Sequence, residues 1–158
     1  MIPPLPFTEA ESNDAHKQWG ANCGPHALAA ACGTSLIRAV ETIPDFIKKR
    51  YTNPTMMQAG LRTLDRCYTL SKNLHVKGVP ENGLARIQWE GRWTRSDAPP
   101  IAAYAYTHWV GARDNYIFCT ASGHFAWIPF CVWQFELDAL CDRQKYTGWH
   151  VTHQYLFI

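Results

Sequence analysis

One cysteine stands in a context that could do chemistry. Residues 18–27 read Gln18-Trp19-Gly20-Ala21-Asn22-Cys23-Gly24-Pro25-His26-Ala27. Pro25 suits the first turn of a helix, the alanines up to Ala31 favour its continuation, and Gly33 suits its left-handed C-terminal position. A cysteine at a helix start meets unpaired backbone N–H groups and the positive end of the dipole, which favour a thiolate of lowered pKa. The same N–H groups can receive the oxyanion of a tetrahedral intermediate, and Gln18, five residues earlier, can add a side-chain amide donor. A thiol nucleophile also needs a base. His108 lies in Tyr106-Thr107-His108-Trp109-Val110, a histidine inside an apolar strand pattern. A strand crossing the helix start would set its imidazole beside the sulfur. The expected set is therefore Cys23 as nucleophile, His108 as base and Gln18 as oxyanion donor.

Other chemistry-bearing residues rank below these. His26, three residues after Cys23, shares roughly its helix face and reads as a solvent-facing or capping residue. His124 follows a glycine and is the reserve base. Cys119, His124, Cys131, Cys141, His150 and His153 cluster in the C-terminal third. They contain no Cys-x-x-Cys pair and fit no common zinc spacing, so neither a metal nor another cofactor is expected. Gly20 and Gly24 flank the cysteine without the Lys and Ser/Thr of a phosphate-binding loop.

The elements that must position these groups follow from periodicity. Residues 1–17 are Pro-rich and then polar, and read as an irregular arm. The Cys23 helix is followed by a helical stretch from Leu36 to about Arg50, broken at Pro44, and by another from Met56 to Cys67. The period then changes. Residues 68–70, 74–76, 85–89, 101–112 and 116–120 read as strands, with Arg113-Asp114-Asn115 as a hairpin turn. Pro129 opens a helix through Leu140, and 149–158 reads as a last strand. Helices first and mostly antiparallel strands second is the α+β pattern, in one domain spanning 1–158.

Composition excludes several classes. Apolar residues make up 47% and charged residues 18%, enough for a packed core and unlike a disordered chain. A net charge of +2 implies no strongly charged partner. The run Lys48-Lys49-Arg50 reads as a solvated helix end rather than a nucleic-acid patch. No apolar run reaches the roughly 18 residues of a membrane span. Met1-Ile2-Pro3-Pro4-Leu5-Pro6 lacks the plan of a signal peptide. A cytoplasmic protein with six reduced cysteines is expected, with no nucleic-acid or membrane partner. The apolar stretch from Trp127 to Leu137 reads as a helix packed on the sheet.

The segment Gln18 to Ala31 resembles the nucleophile segment of papain-like cysteine peptidases, most closely the C39-like branch. Members show a Gln, a short spacer, Asn-Cys-Gly-Pro and an alanine-rich helix. His108-Trp109-Val110 is similar to the His strand of that branch. The order Gln, Cys, His is shared, and the likeness spans about residues 18–137. Small stand-alone proteins of this pattern are common in phage genomes. The resemblance implies a papain-like fold, with the nucleophile helix packed on a mostly antiparallel sheet. It also implies a thiol hydrolase that cleaves a peptide, isopeptide or other amide bond through an acyl-enzyme, with a peptide or protein as substrate. One feature departs from the pattern. The family usually carries an Asp or Asn on the strand after the His strand, a position that falls here near Cys119 to Ala121, and no acid is there. Thr120, Ser122 or a backbone carbonyl could substitute. The alternative is a catalytically degenerate scaffold that binds a protein, such as a phage inhibitor or accessory protein.

Overall fold

The computed structural model describes residues 1–20 and 22–158. Among the described residues, six α-helices and six strands follow in the order α1 (Glu9–Trp19), α2 (Cys23–Cys32), α3 (Leu36–Thr42), α4 (Phe46–Lys49), α5 (Pro54–Thr63), β1 (Tyr68–Ser71), β2 (Gly83–Glu90), β3 (Thr107–Arg113), β4 (Tyr116–Phe118), β5 (Ile128–Pro129), α6 (Phe130–Gln144) and β6 (Gly148–Phe157). The strands form one sheet, ordered β1-β6-β2-β3-β4-β5. Every neighbouring pair is antiparallel. The α+β expectation therefore holds. No described helix is long and apolar enough to cross a membrane.

Each sheet face carries its own core. On one face Leu84, Trp109, Phe118 and Tyr155 pack with residues of α2, α3 and α5. On the other, Ala85, Ile87, Val110, Ala112 and Ile117 pack with Trp133, Leu137 and Cys141 of α6. This split is the period-two alternation of strand side chains. The Trp127–Leu137 stretch does supply the helix packed on the sheet, with Trp133 fully enclosed.

Three local expectations are corrected. The N-terminal arm is largely α1, closed by a capping box in which Thr8 accepts from Glu11 N–H and Glu11 accepts from Thr8 N–H. That Thr-x-x-Glu signature satisfies two backbone donors reciprocally and overrides the polar composition. The strand expected over 101–112 begins only at Thr107. Pro99 and Pro100 open a 3-10 turn through Ala105, because proline fixes φ and cannot donate to a ladder. Residues 74–76 contribute a single bridge, Val76 to Val151, rather than a strand. The hairpin at 113–116 is as expected: Asp114 and Asn115 take φ of 50° and 65°, the left-handed pair that such tight turns need.

Candidate active site

The site is built at the head of α2. This helix lies directly on β3, because Gly111 leaves room for it: a Cβ there would stand 2.7 Å from the Ala27 carbonyl oxygen. The helix start is then one turn away from Trp109. Along β3 the backbone groups alternate in direction. Trp89 N–H donates to the Tyr106 carbonyl at 2.9 Å, so Tyr106 faces β2 and Trp109 faces away from it. On that side β4 pairs only with Gly111 to Arg113, which leaves Trp109 N–H without a strand partner. It lies near the Cys23 thiol and, with the N–H groups of Gly24 and of Cys23 itself, favours the charged form of that thiol. The residue as a whole is half-buried.

His108 lies on the other face of β3. It is cross-strand partner to Ile87, and only 7% of its surface is exposed. Its Nε2 stands 3.3 Å from Cys119 Sγ, and its ring lies 6.0 Å from that of Trp89. Cys119 in turn lies within the field of Cys23. The head of α2, the start of β3 and the end of β4 thus bring Cys23, His108 and Cys119 into one neighbourhood. No hydrogen bond joins Cys23 to His108 among the described residues. The position expected to orient the imidazole fell near Cys119 to Ala121, and its occupant is the Cys119 thiol. Sequence reasoning passed over Cys119 because an acid or amide was sought there.

Protonation differs from the sequence expectation. Burial pushes the Cys23 thiol up, and the three N–H groups and Arg86 only partly offset it. The helix start lowers a thiol pKa where solvent reaches it; here desolvation of the charged form is the larger effect. Burial also pushes His108 down to about 4 and Cys119 up to about 11. The resting site is a neutral thiol beside a neutral imidazole.

The remaining sequence candidates separate. Gln18 is exposed on the last turn of α1, where it lines a shallow groove with Glu11, Asp14 and Ser35. Its backbone carbonyl accepts from Arg50 at 2.8 Å. His26 is fully buried, and neither solvent nor the thiol is its partner. Its Nδ1–H donates to the Asn22 carbonyl at 2.9 Å, and Nε2 accepts from Ser12 at 2.9 Å. A carbonyl can only accept, which fixes this tautomer. His26 therefore ties α1 to α2. His124 stands 3.0 Å from Glu136 and is largely exposed.

A cleft of about 660 Å³ lies by the head of α2, lined by Tyr51, Thr52, Arg86, Tyr104, Thr107 and His153 among others. Thr52 abuts Gly24, and its carbonyl accepts from Trp109 Nε1 at 2.8 Å. Arg86 is the cross-strand partner of Trp109 and lies in the field of Cys23. Neither Arg86 nor Thr52 carried a motif, so only the β2–β3 register identifies them. No family model, curated protein or solved structure matches this chain.

Proposed function

We propose that the chain is a papain-like thiol hydrolase that cleaves a peptide, isopeptide or other amide bond through an acyl-enzyme on Cys23. The observation that carries this reading is the Cys23 thiol, set at the start of α2 near the backbone N–H groups of Trp109 and Gly24 and adjacent to the strand that bears His108. A sulfur held that way is poised to attack a carbonyl bound in the neighbouring cleft. Cys23 Sγ bonds to the carbonyl carbon while its proton passes to His108. In the tautomer that donates Nε2–H to Cys119 Sγ, the lone pair of Nδ1 is the basic one. The carbonyl oxygen gains negative charge and is met by the Cys23 N–H; Gln18, exposed at the end of α1, must turn in from its own groove to add a second donor. His108 then protonates the leaving amine, and water, activated by the same imidazole, releases the acid. A transferase would differ only in that an amine replaces water. Because both partners rest neutral, the ion pair forms during the attack rather than before it.

Specific observations favour the second reading, a degenerate scaffold that binds a protein partner: the neutral resting pair, the missing Cys23–His108 hydrogen bond and a thiol where an acid is usual. The experiment is a screen of quenched peptide and isopeptide libraries with the wild type, Cys23→Ala and His108→Gln, followed by mass spectrometry of the acyl-enzyme. The hydrolase reading expects turnover, an acyl adduct on Cys23 and loss of both in Cys23→Ala. Turnover that survives Cys23→Ala sinks it. Partner capture by Cys23→Ala with no turnover in any form establishes the second reading.

A further inference from the structure

Arg86 is the charged group the proposed chemistry does not use. Its guanidinium is buried enough that desolvation lowers its pKa. Its Nε is enclosed without a hydrogen-bond partner, and among the described residues it forms no ion pair. It lines the cleft by the head of α2, within the field of Cys23, and no Asp or Glu lines that cleft with it. His153 adds a second basic ring on the same wall, and the hydroxyl of Thr52 there also lacks a partner. A half-buried cation with no counter-charge is costly, and a ligand can supply that counter-charge. A guanidinium fork matches a carboxylate in shape as well as charge.

We propose that Arg86 is the anchor of a carboxylate-binding subsite next to Cys23, so that the substrate is an amide carrying a carboxylate close to the scissile carbonyl. This deepens the hydrolase reading by naming its substrate class, but its test does not need turnover. Iodoacetate and iodoacetamide alkylate thiols alike: the S–C bond forms, the C–I bond breaks and iodide leaves. They differ in the carboxylate. The rates of both at each cysteine are read by peptide mass spectrometry, with the exposed Cys131 as internal reference. The expected iodoacetate-to-iodoacetamide ratio at Cys23 exceeds that at Cys131 by about tenfold, the size of one charge-assisted hydrogen bond. Arg86→Gln removes the excess and Arg86→Lys keeps most of it. An equal ratio at the two thiols in the wild type overturns the subsite, as does an excess that survives Arg86→Gln. The source of the carboxylate follows from which peptide slows iodoacetamide labelling of Cys23: a Glu-containing peptide amide for a side chain, or a neutral peptide with a free C-terminus for a chain end. A positive ratio without turnover in the library screen leaves the subsite standing and removes the hydrolase.

A separate cluster stands where the 72–78 segment meets β2 and β6. His150 Nδ1 is 2.8 Å and His75 Nε2 3.8 Å from the same Glu90 oxygen, and the ligand atoms of all three lie within 4.8 Å of one another. The His75 and His150 rings stack at 3.8 Å. The Val76–Val151 bridge holds the two histidines together, and His150 is the cross-strand partner of Gln88, two residues before Glu90. We infer that His75, Glu90 and His150 form a site for a divalent transition ion of the zinc class. Two imidazoles and one carboxylate are a common zinc donor set, with room for a water as fourth ligand. The Lys77 ammonium, which contacts the Trp149 carbonyl, and Arg95, which lines the same cleft as the three ligands, are opposing charges nearby. The test is equilibrium dialysis against Zn²⁺ for the wild type, His75→Ala and Glu90→Gln. His75 is 76% exposed, so its loss leaves the fold intact. One equivalent bound by the wild type, with affinity falling by more than the roughly 10–100-fold that loss of a supporting group costs, is expected. Equal binding by His75→Ala points to the cysteines and overturns the site, and so does absence of binding.

Discussion

The two faces of β3 are packed in opposite ways. Under α2 the contact is made of small groups: Gly111 meets the Ala27 carbonyl, with Ala30 and Ala31 fully or almost fully buried above. Under α6 the strand offers Val110 and Ala112, and large rings of α6 and the neighbouring strands close over them, with Trp133 and Trp149 in edge contact at 5.3 Å and Trp89 beside His108. Small residues bring a helix backbone close to a strand backbone, which is how the head of α2 comes near Trp109 N–H. Large rings fix what they surround, and His108 is held on that side, neutral and dry. One face delivers the thiol and the other immobilises the imidazole.

Removing bulk from the ring-packed face should have the largest effect. Trp133→Ala opens a cavity at a fully enclosed position and should cost about 3–5 kcal/mol of unfolding free energy. The urea midpoint measures it. If the division of labour holds, iodoacetamide reactivity of Cys23 changes less than the hydrogen-exchange protection of α6. A loss confined to α2 would break the comparison.

Acid should next expose the buried imidazole. His108 is protonated only near pH 4 in the fold, against about 6.5 in the unfolded chain. Between these values the unfolded state binds the extra proton, so stability present above pH 6.5 is lost as pH falls to about 4. The expected loss from His108 is about 3 kcal/mol, and burial of His26 acts in the same direction. Urea titrations at pH 7 and pH 4.5 measure it, and His108→Gln should flatten the slope. By the same sign, any Cys23-dependent turnover should persist well below pH 6.5 and fail near pH 4, when His108 can no longer accept a proton.

Adding bulk to the close-packed face sharpens the contrast. Gly111→Ala places a methyl against the Ala27 carbonyl, a backbone group that cannot swing aside. The expected cost is about 1–3 kcal/mol, or a fall in Tm of about 2–4 °C per kcal/mol at this chain length. Unlike Trp133→Ala, it should alter the alkylation rate of Cys23, because it moves the sulfur relative to Trp109.

Much of this architecture was legible in local patterns, and the rest was set by register. The α2 start, the hairpin at Asp114-Asn115 and the last strand each carry their signal within a few residues. The Cys23 and His108 positions were readable because helix starts and strand histidines are local features. Arg86 and Cys119 were not, since each matters only through a cross-strand neighbour. His75 and Glu90 join His150 from separate segments and share no spacing. The lowered thiol pKa expected at a helix start failed because burial of Cys23 could not be read from its flanking residues. The helix α1 was missed although Thr8 and Glu11 announce it.

That helix gives the smallest test. Thr8→Ala removes the acceptor for Glu11 N–H and should cost about 1 kcal/mol, the usual effect of losing an N-terminal cap. The loss should stay local. α1 meets α2 through the Ser12–His26 hydrogen bond and through Ala15 in the close-packed core, so fraying its first turn loosens Ser12 before anything under α6. Hydrogen exchange should therefore show faster amides over 9–13 and an unchanged rate at Trp133 and Leu137. Equal acceleration on both faces would mean that the two cores open as one unit and that their separation is geometric rather than energetic.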